Sequence, residues 1–241
     1  VGRGALEQNT TASNNTAVGY LALENNTTGT DNTAVGRQAL DEVTTSSYNT
    51  ALGSAALTNS TGSNNTAVGA DALLSNTSAS NNVAIGYRTL RSNTTGLYNV
   101  AVGTEALETI TTSNNNTAVG FRALEENTSG GSNTAVGGFV LDANTTGYYN
   151  VGLGTEVLSD NTTGVQNTAV GTFALVDNTA ANNNTALGFK ALFTNTTGGS
   201  NTAIGSGALE DSTGGGNTAI GINAGSLNTS GGNNTFLGQA A

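Results

Sequence analysis

Asn15-Thr16-Ala17-Val18-Gly19 returns as Asn32-Thr33-Ala34-Val35-Gly36 and again as Asn49-Thr50-Ala51-Leu52-Gly53. Followed through the chain, the closing glycine falls at positions 2, 19, 36, 53, 69, 86, 103, 120, 137, 154, 171, 188, 205, 221 and 238, which gives twelve intervals of 17 residues and two of 16. A fixed period of this size marks a repeat architecture in which one unit is too small to bury a core alone. Residues 1–241 therefore read as a single array of about fifteen units, with no room for a second domain or linker.

Aligning the units on that glycine (Gly19, Gly36, Gly53, Gly69, Gly86 and onward) exposes the columns. Four residues before it stands Asn without exception: Asn15, Asn32, Asn49, Asn65, Asn82, Asn99, Asn116 and on to Asn234. One before it is always aliphatic, and eight after it is always Thr, as at Thr27, Thr44 and Thr61. Four after it is Leu, as at Leu23, Leu40 and Leu57, failing only at Gly225.

If Asn15–Gly19 is extended, Thr16 and Val18 share one side and Asn15, Ala17 and Gly19 the other. Val83, Val100 and Val151 replace the Thr of the phrase, as a half-buried β-branched position would allow, so Thr and the aliphatic residue are expected to face inward. Ala and Gly would then permit a second backbone to approach from the opposite side. A second short strand is expected over Tyr20-Leu21-Ala22-Leu23, and a polar turn over Asn26-Thr27-Thr28-Gly29, where Asn and Gly tolerate left-handed geometry. The shortened units lose their residue inside that turn, at Thr61-Gly62 and Thr213-Gly214, which preserves strand register.

Stacking buries what one unit cannot. The chain is expected to be an all-β parallel β-solenoid whose coils lie ~4.8 Å apart, making a rod of roughly 70 Å. Each column becomes a ladder, with aliphatic and Leu ladders as a thin core and an Asn ladder chaining amide hydrogen bonds from coil to coil. Amphipathic helices fail on composition, because Gly, Asn and Thr recur in every unit and no 3.6-residue apolar stripe appears.

Composition removes reaction classes. There is no His or Cys among the 241 residues, so Ser-His-Asp and Cys-His nucleophile pairs, thiolate or imidazole metal sites and redox dithiols are excluded. Six basic against 16 acidic residues, net −10, leave no basic stripe for nucleic acid. No apolar run is long enough to insert in a membrane. The chain starts without Met and its repeats are cut at both ends without a cap, which suggests a piece of a longer fibrous protein or a subunit that stacks end to end.

Asn82-Val83-Ala84-Ile85-Gly86 and Asn99-Val100-Ala101-Val102-Gly103 resemble the head repeat of trimeric autotransporter adhesins of the YadA-like class. Similar repeats occur in phage and extracellular fibre proteins. The resemblance covers essentially the whole chain, although the family repeat is shorter and lacks the Asn-Thr-Thr-Gly turn. It implies a left-handed β-roll, association of three chains and an adhesive, surface-exposed role.

Several columns invite a site. Acidic residues gather five and six positions after the glycine, among them Glu24, Asp41, Glu42, Glu108, Glu125, Glu126, Asp142, Asp160, Asp177, Glu210 and Asp211. Without Gly-Gly-x-Gly-x-Asp spacing, and with Leu74, Val176 and Phe193 interrupting, they read as solvated charge and no metal is assigned. No unit departs from its neighbours enough to form a catalytic cleft, so no enzyme and no cofactor is expected. Asn-x-Ser/Thr sequons at Asn26, Asn93, Asn127, Asn144, Asn161 and Asn195 are turn chemistry or, in a glycosylating host, sites for a sugar coat. The Thr eight after the glycine is the one unbroken outward Thr column, a partial match to an ice-binding face. Tyr20, Tyr87, Phe121 and Phe189 follow the glycine, while Tyr48, Tyr98 and Tyr149 precede the ladder Asn; they suit edge packing, contact between chains or a glycan stripe.

The expected role is a non-catalytic extracellular fibre or surface adhesin, self-associating as a trimer or end-to-end filament and in contact with host surfaces or glycans. A viral tail-fibre shaft, an ice-binding module and a glycan-binding solenoid remain open beside it.

Overall fold

The computed structural model describes residues 1–241, which form strands and turns with no helix. The chain divides into two compact units, Val1–Asn116 and Thr117–Ala241. The first holds β1 (Thr16–Val18), β2 (Thr33–Val35), β3 (Thr50–Leu52), β4 (Thr66–Val68), β5 (Val83–Ile85) and β6 (Val100–Val102). The second holds β7 (Thr117–Val119), β8 (Thr134–Val136), β9 (Val151–Leu153), β10 (Thr168–Val170), β11 (Thr185–Leu187), β12 (Thr202–Ile204), β13 (Thr218–Ile220) and β14 (Thr235–Leu237). Fourteen strands stand where about fifteen units were expected, because Val1-Gly2 supplies only the end of a phrase and forms no strand.

Within each unit every strand pairs in parallel with the next, phrase on phrase. Thr16 lies beside Thr33, Ala17 beside Ala34 and Val18 beside Val35. Thr202, Ala203 and Ile204 likewise meet Thr218, Ala219 and Ile220 across a 16-residue interval, so the shortened unit keeps its register. The architecture is a parallel β-solenoid. Its glycine column is a steric requirement: a Cβ on Gly19 would lie 2.3 Å from the Gly36 carbonyl oxygen, and Gly19 holds φ at +143°.

The sides of the strand are the reverse of the expectation. Ala34, Ala51, Ala67, Ala84 and Ala101 are completely buried, while the flanking Thr and aliphatic residues are half-buried or exposed. The Leu column explains this. Leu23, Leu40 and Leu57 are also fully buried and occupy most of a thin interior, leaving room opposite for a methyl group only. Exceptions compensate in volume. Gly225 replaces Leu where Phe236 replaces Ala, and a Cβ on Gly225 would lie 2.6 Å from the Phe236 ring. Gly152 replaces Ala in β9, where Val140 stands in place of Ala on the facing turn, and a Cβ there would lie 2.5 Å from Val140.

No second strand forms over Tyr20–Leu23. Leu21 and Leu23 take φ of 55° and 51°, and the same left-handed alternation recurs at later coils, as at Gln38 and Leu40. It folds the chain round a corner while keeping amide groups along the axis: Leu21 N–H donates to Arg3 O and Leu23 N–H to Ala39 O, each at 3.0 Å. A left-handed non-glycine residue costs about 1 kcal/mol. Fully burying a Leu side chain returns about 1.5–3 kcal/mol. Each corner holds two left-handed residues, so burial of one Leu offsets much of their cost, and left-handed geometry falls on this corner instead of on the Asn26–Gly29 turn.

Candidate functional site

The Asn columns are internal fasteners. Asn32 N–H donates to Asn15 Oδ1 at 2.9 Å and Asn49 N–H to Asn32 Oδ1 at 3.0 Å, so each ladder Asn holds the backbone of the next coil. Its amide nitrogen reaches the following turn, as from Asn32 Nδ2 to Ser46 O at 2.9 Å. Asn49, Asn65, Asn82, Asn99 and Asn116 are likewise buried. The amide-to-amide chain expected of this column is cleanest in the sequon column: Asn144 Nδ2 donates to Asn127 Oδ1 at 3.0 Å and Asn161 Nδ2 to Asn144 Oδ1 at 2.8 Å.

Burial speaks against a sugar at the six sequons of this turn column. Asn26, Asn93, Asn127, Asn144, Asn161 and Asn195 are completely buried. Asn26 Nδ2 donates to Gly29 O at 3.0 Å while its Oδ1 accepts from Gly29 N–H at 3.1 Å, closing the turn from inside. A glycan on that nitrogen would break the turn. The sequence carried the signal, since Val43 and Ile110 occupy this column and are also fully buried. The Thr column lies outside it: Thr10 Oγ1 donates to Thr27 O at 3.0 Å and Thr27 Oγ1 to Thr44 O at 3.1 Å, while Thr61 Oγ1 donates to Thr77 O at 2.7 Å.

What each unit presents to solvent is the outward face of its strands. Val18, Leu52 and Ile85 are 39–47% exposed in the first unit, as are Leu153, Leu187 and Ile220 in the second. Tyr20, Tyr87, Phe121 and Phe189 are exposed two residues further on. Basic groups lie over three of these rings: Arg88 over Tyr87 at 5.0 Å, Arg122 over Phe121 at 5.2 Å and Lys190 over Phe189 at 5.8 Å. None of the 16 carboxylates falls in the outward Thr column, the aliphatic column or the column after the glycine. Tyr48, Tyr98 and Tyr149 are exposed at the left-handed residue preceding the ladder Asn.

The acid column is mostly exposed or half-buried, with one clear departure from the solvated charge that the sequence suggested. Asp41 is only 7% exposed. Burial, then Asp41 beside it, raises the Glu24 carboxyl above the usual range. In the second unit, burial and the charges of Glu125, Asp160 and Glu126 push Asp142 up to about 6. Asp177 is raised by burial and by Asp160. Asp142 also lines a shallow cleft of about 280 Å³ with Phe139, Glu156, Ser159 and Asp160.

No protein-family model matches the chain. No curated protein matches it either.

Proposed function

We propose that the chain is a non-catalytic structural solenoid that associates side by side with further copies through the outward strand face. One observation carries the reading: an outward aliphatic residue, half-buried or exposed, on every strand, joined by an exposed ring at Tyr20, Tyr87, Phe121 and Phe189, in columns free of carboxylate. Apolar side chains repeated at one surface column are a feature of interaction sites. At net −10, copies repel wherever their acidic columns meet, which favours contact through a face free of carboxylate such as this one. An extracellular or surface setting, as a fibre or adhesin head or as a viral fibre shaft, rests on the resemblance of the Asn82–Gly86 phrase.

Sedimentation over a wide concentration range, with electron microscopy, tests the proposal. Self-association is expected, and the pair Ile85→Glu with Leu187→Glu should abolish it while the circular dichroism spectrum stays unchanged. A monomer at all concentrations, or an oligomer insensitive to both substitutions, would overturn it.

A second reading follows from the reversed strand sides. The Thr of the phrase faces outward at eleven of fourteen strands, so each unit sets Thr in register beside an aliphatic column, as an ice-binding face requires. A thermal hysteresis assay separates this from self-association; freezing-point depression by the isolated protein would favour it.

A further inference from the structure

Asn64 differs from the buried turn asparagines in what decides whether a side-chain amide can react. It is exposed at φ 62°, one residue before the ladder Asn65, and its amide makes no hydrogen bond within the chain. Asn14, Asn183 and Asn233 hold the same place, exposed at φ 61°, 61° and 60°. Each opens the phrase Asn-Asn-Thr, an acceptor sequence for an N-linked sugar. The same phrase recurs as Asn115-Asn116-Thr117, across the boundary of the two units.

The two asparagines of the phrase divide the work. The second is the internal fastener, as where Asn65 Oδ1 accepts from Asn82 N–H at 3.1 Å. The first stands at the corner outside it. Left-handed geometry alone accounts for Asn there, because a short polar side chain tolerates it. It does not account for the access of both groups that the acceptor sequence needs. The strand that follows turns its first residue outward, so Thr16, Thr185 and Thr235 are exposed and Thr66 is half-buried. Their hydroxyls, like the four amides, bond to nothing in the chain. In the turn column the opposite holds, since Asn26 Nδ2 is committed to Gly29 O. Asn14 and Asn64 stand three coils apart in the first unit, as do Asn183 and Asn233 in the second, which is about 14 Å at ~4.8 Å per coil. Sugars at that spacing clear one another and leave the hydrogen bonds of the coils untouched.

We infer that Asn14, Asn64, Asn183 and Asn233 accept N-linked sugars on the folded chain. The donor is a glycosyl diphosphate, carried by a nucleotide or by a lipid, and the catalyst is a separate Asn-glycosyltransferase. Nδ2 forms a bond to C1 of the sugar while the C1–oxygen bond to the diphosphate breaks. The diphosphate departs with the electron pair, and one amide proton passes to the transferase. The inference does not rest on the self-association proposed above.

The chain carries its own control. Asn81 shares the column, the exposure and φ 61°, but Val83 stands where the acceptor sequence needs Thr. Thr and Val exchange at this strand position, as β5 and β6 show, so Thr66→Val and Val83→Thr keep the fold. The whole folded chain is incubated with a soluble Asn-glycosyltransferase and uridine diphosphate glucose, and separately secreted from yeast, whose donor is lipid-linked; peptide mass spectrometry reads each site. Occupancy at Asn14, Asn64, Asn183 and Asn233 should exceed that at Asn26, Asn93 and Asn81 by about tenfold or more, and the route that succeeds identifies the donor. Thr66→Val should strip the sugar from Asn64 alone, and Val83→Thr should add one at Asn81, with the circular dichroism spectrum unchanged. Bare asparagines at all four positions by both routes overturn the inference. So does equal occupancy at Asn26 and Asn93 in chains with the native spectrum, or a sugar on Asn64 that survives Thr66→Val.

Discussion

Ile85 and Leu90 are aliphatic residues in the same coil, five positions apart, yet Ile85 is 39% exposed and Leu90 is completely buried. Ile85 sits on an extended strand, with Ala84 beside it pointing into the core. Leu90 sits at φ 50°, on the turn that closes the opposite wall. The Ile85 column is aliphatic throughout and the Leu90 column everywhere but Gly225, because each position stacks on its equivalents in the coils above and below. Uniformity therefore reports stacking and does not report burial: the Leu ladder supplies cohesion within the coil stack, and the outward ladder supplies a surface.

The glycine between them is where the comparison is easiest to break. Gly86 has φ +136°, and a Cβ on it would lie 2.6 Å from the Gly103 carbonyl oxygen, a backbone atom that cannot swing aside. Gly86→Ala should cost about 4 kcal/mol or more, since left-handed strain and a backbone clash add. Denaturant unfolding measures it; a cost under about 1 kcal/mol would mean that neighbouring coils are not in contact at this column.

Truncating the two ladders comes next. Leu90→Ala should lose about 2–5 kcal/mol, because it opens a cavity in a core one side chain thick. Ile85→Ala should lose only about 1 kcal/mol, since that side chain is 39% exposed and leaves no closed cavity. Equal losses measured on the isolated chain would erase the distinction between core and surface columns.

The 17-residue period, the glycine, Asn, Thr and Leu columns and the parallel stacking were all legible in the sequence, because each is a coil-to-coil requirement repeated along the chain. Which side of the strand faces inward was not. Thr and Val exchange at Val83 and Val100 as readily on a pleated outer surface as on a half-buried one. The deciding signal was coupling between columns: Gly225 with Phe236, and Gly152 with Val140, trade volume across the interior. Val43 and Ile110 in the sequon column carried the same message, that the Asn turns point inward. The acid column misled differently. Its composition signalled solvation, but charge counts do not reveal that Asp41 lies under the chain while Glu42, its neighbour, is exposed.

The smallest expected effect tests how far burial extends beyond the Leu ladder. Asp142 follows the fully buried Leu141 and is itself half-buried, with Glu125, Glu126 and Asp160 around it, so its carboxyl titrates at about 6 in the fold against 3.8 when exposed. The folded chain therefore holds this proton more tightly than the unfolded chain. Between about pH 4 and 6 the unfolded chain has lost it and the folded chain retains it, so this group makes stability fall as pH rises through that window, and the penalty persists above it. Each pKa unit corresponds to 1.36 kcal/mol, but water on the open side of Asp142 screens the charge, leaving a penalty of about 1 kcal/mol at neutral pH. Asp142→Asn should recover that amount at pH 7. Stability of the native chain minus that of the variant, followed by denaturant unfolding from pH 4 to pH 8, should slope downward to about pH 6 and then flatten. A flat difference throughout would place Asp142 in open solvent and confine the dry interior to the Leu column.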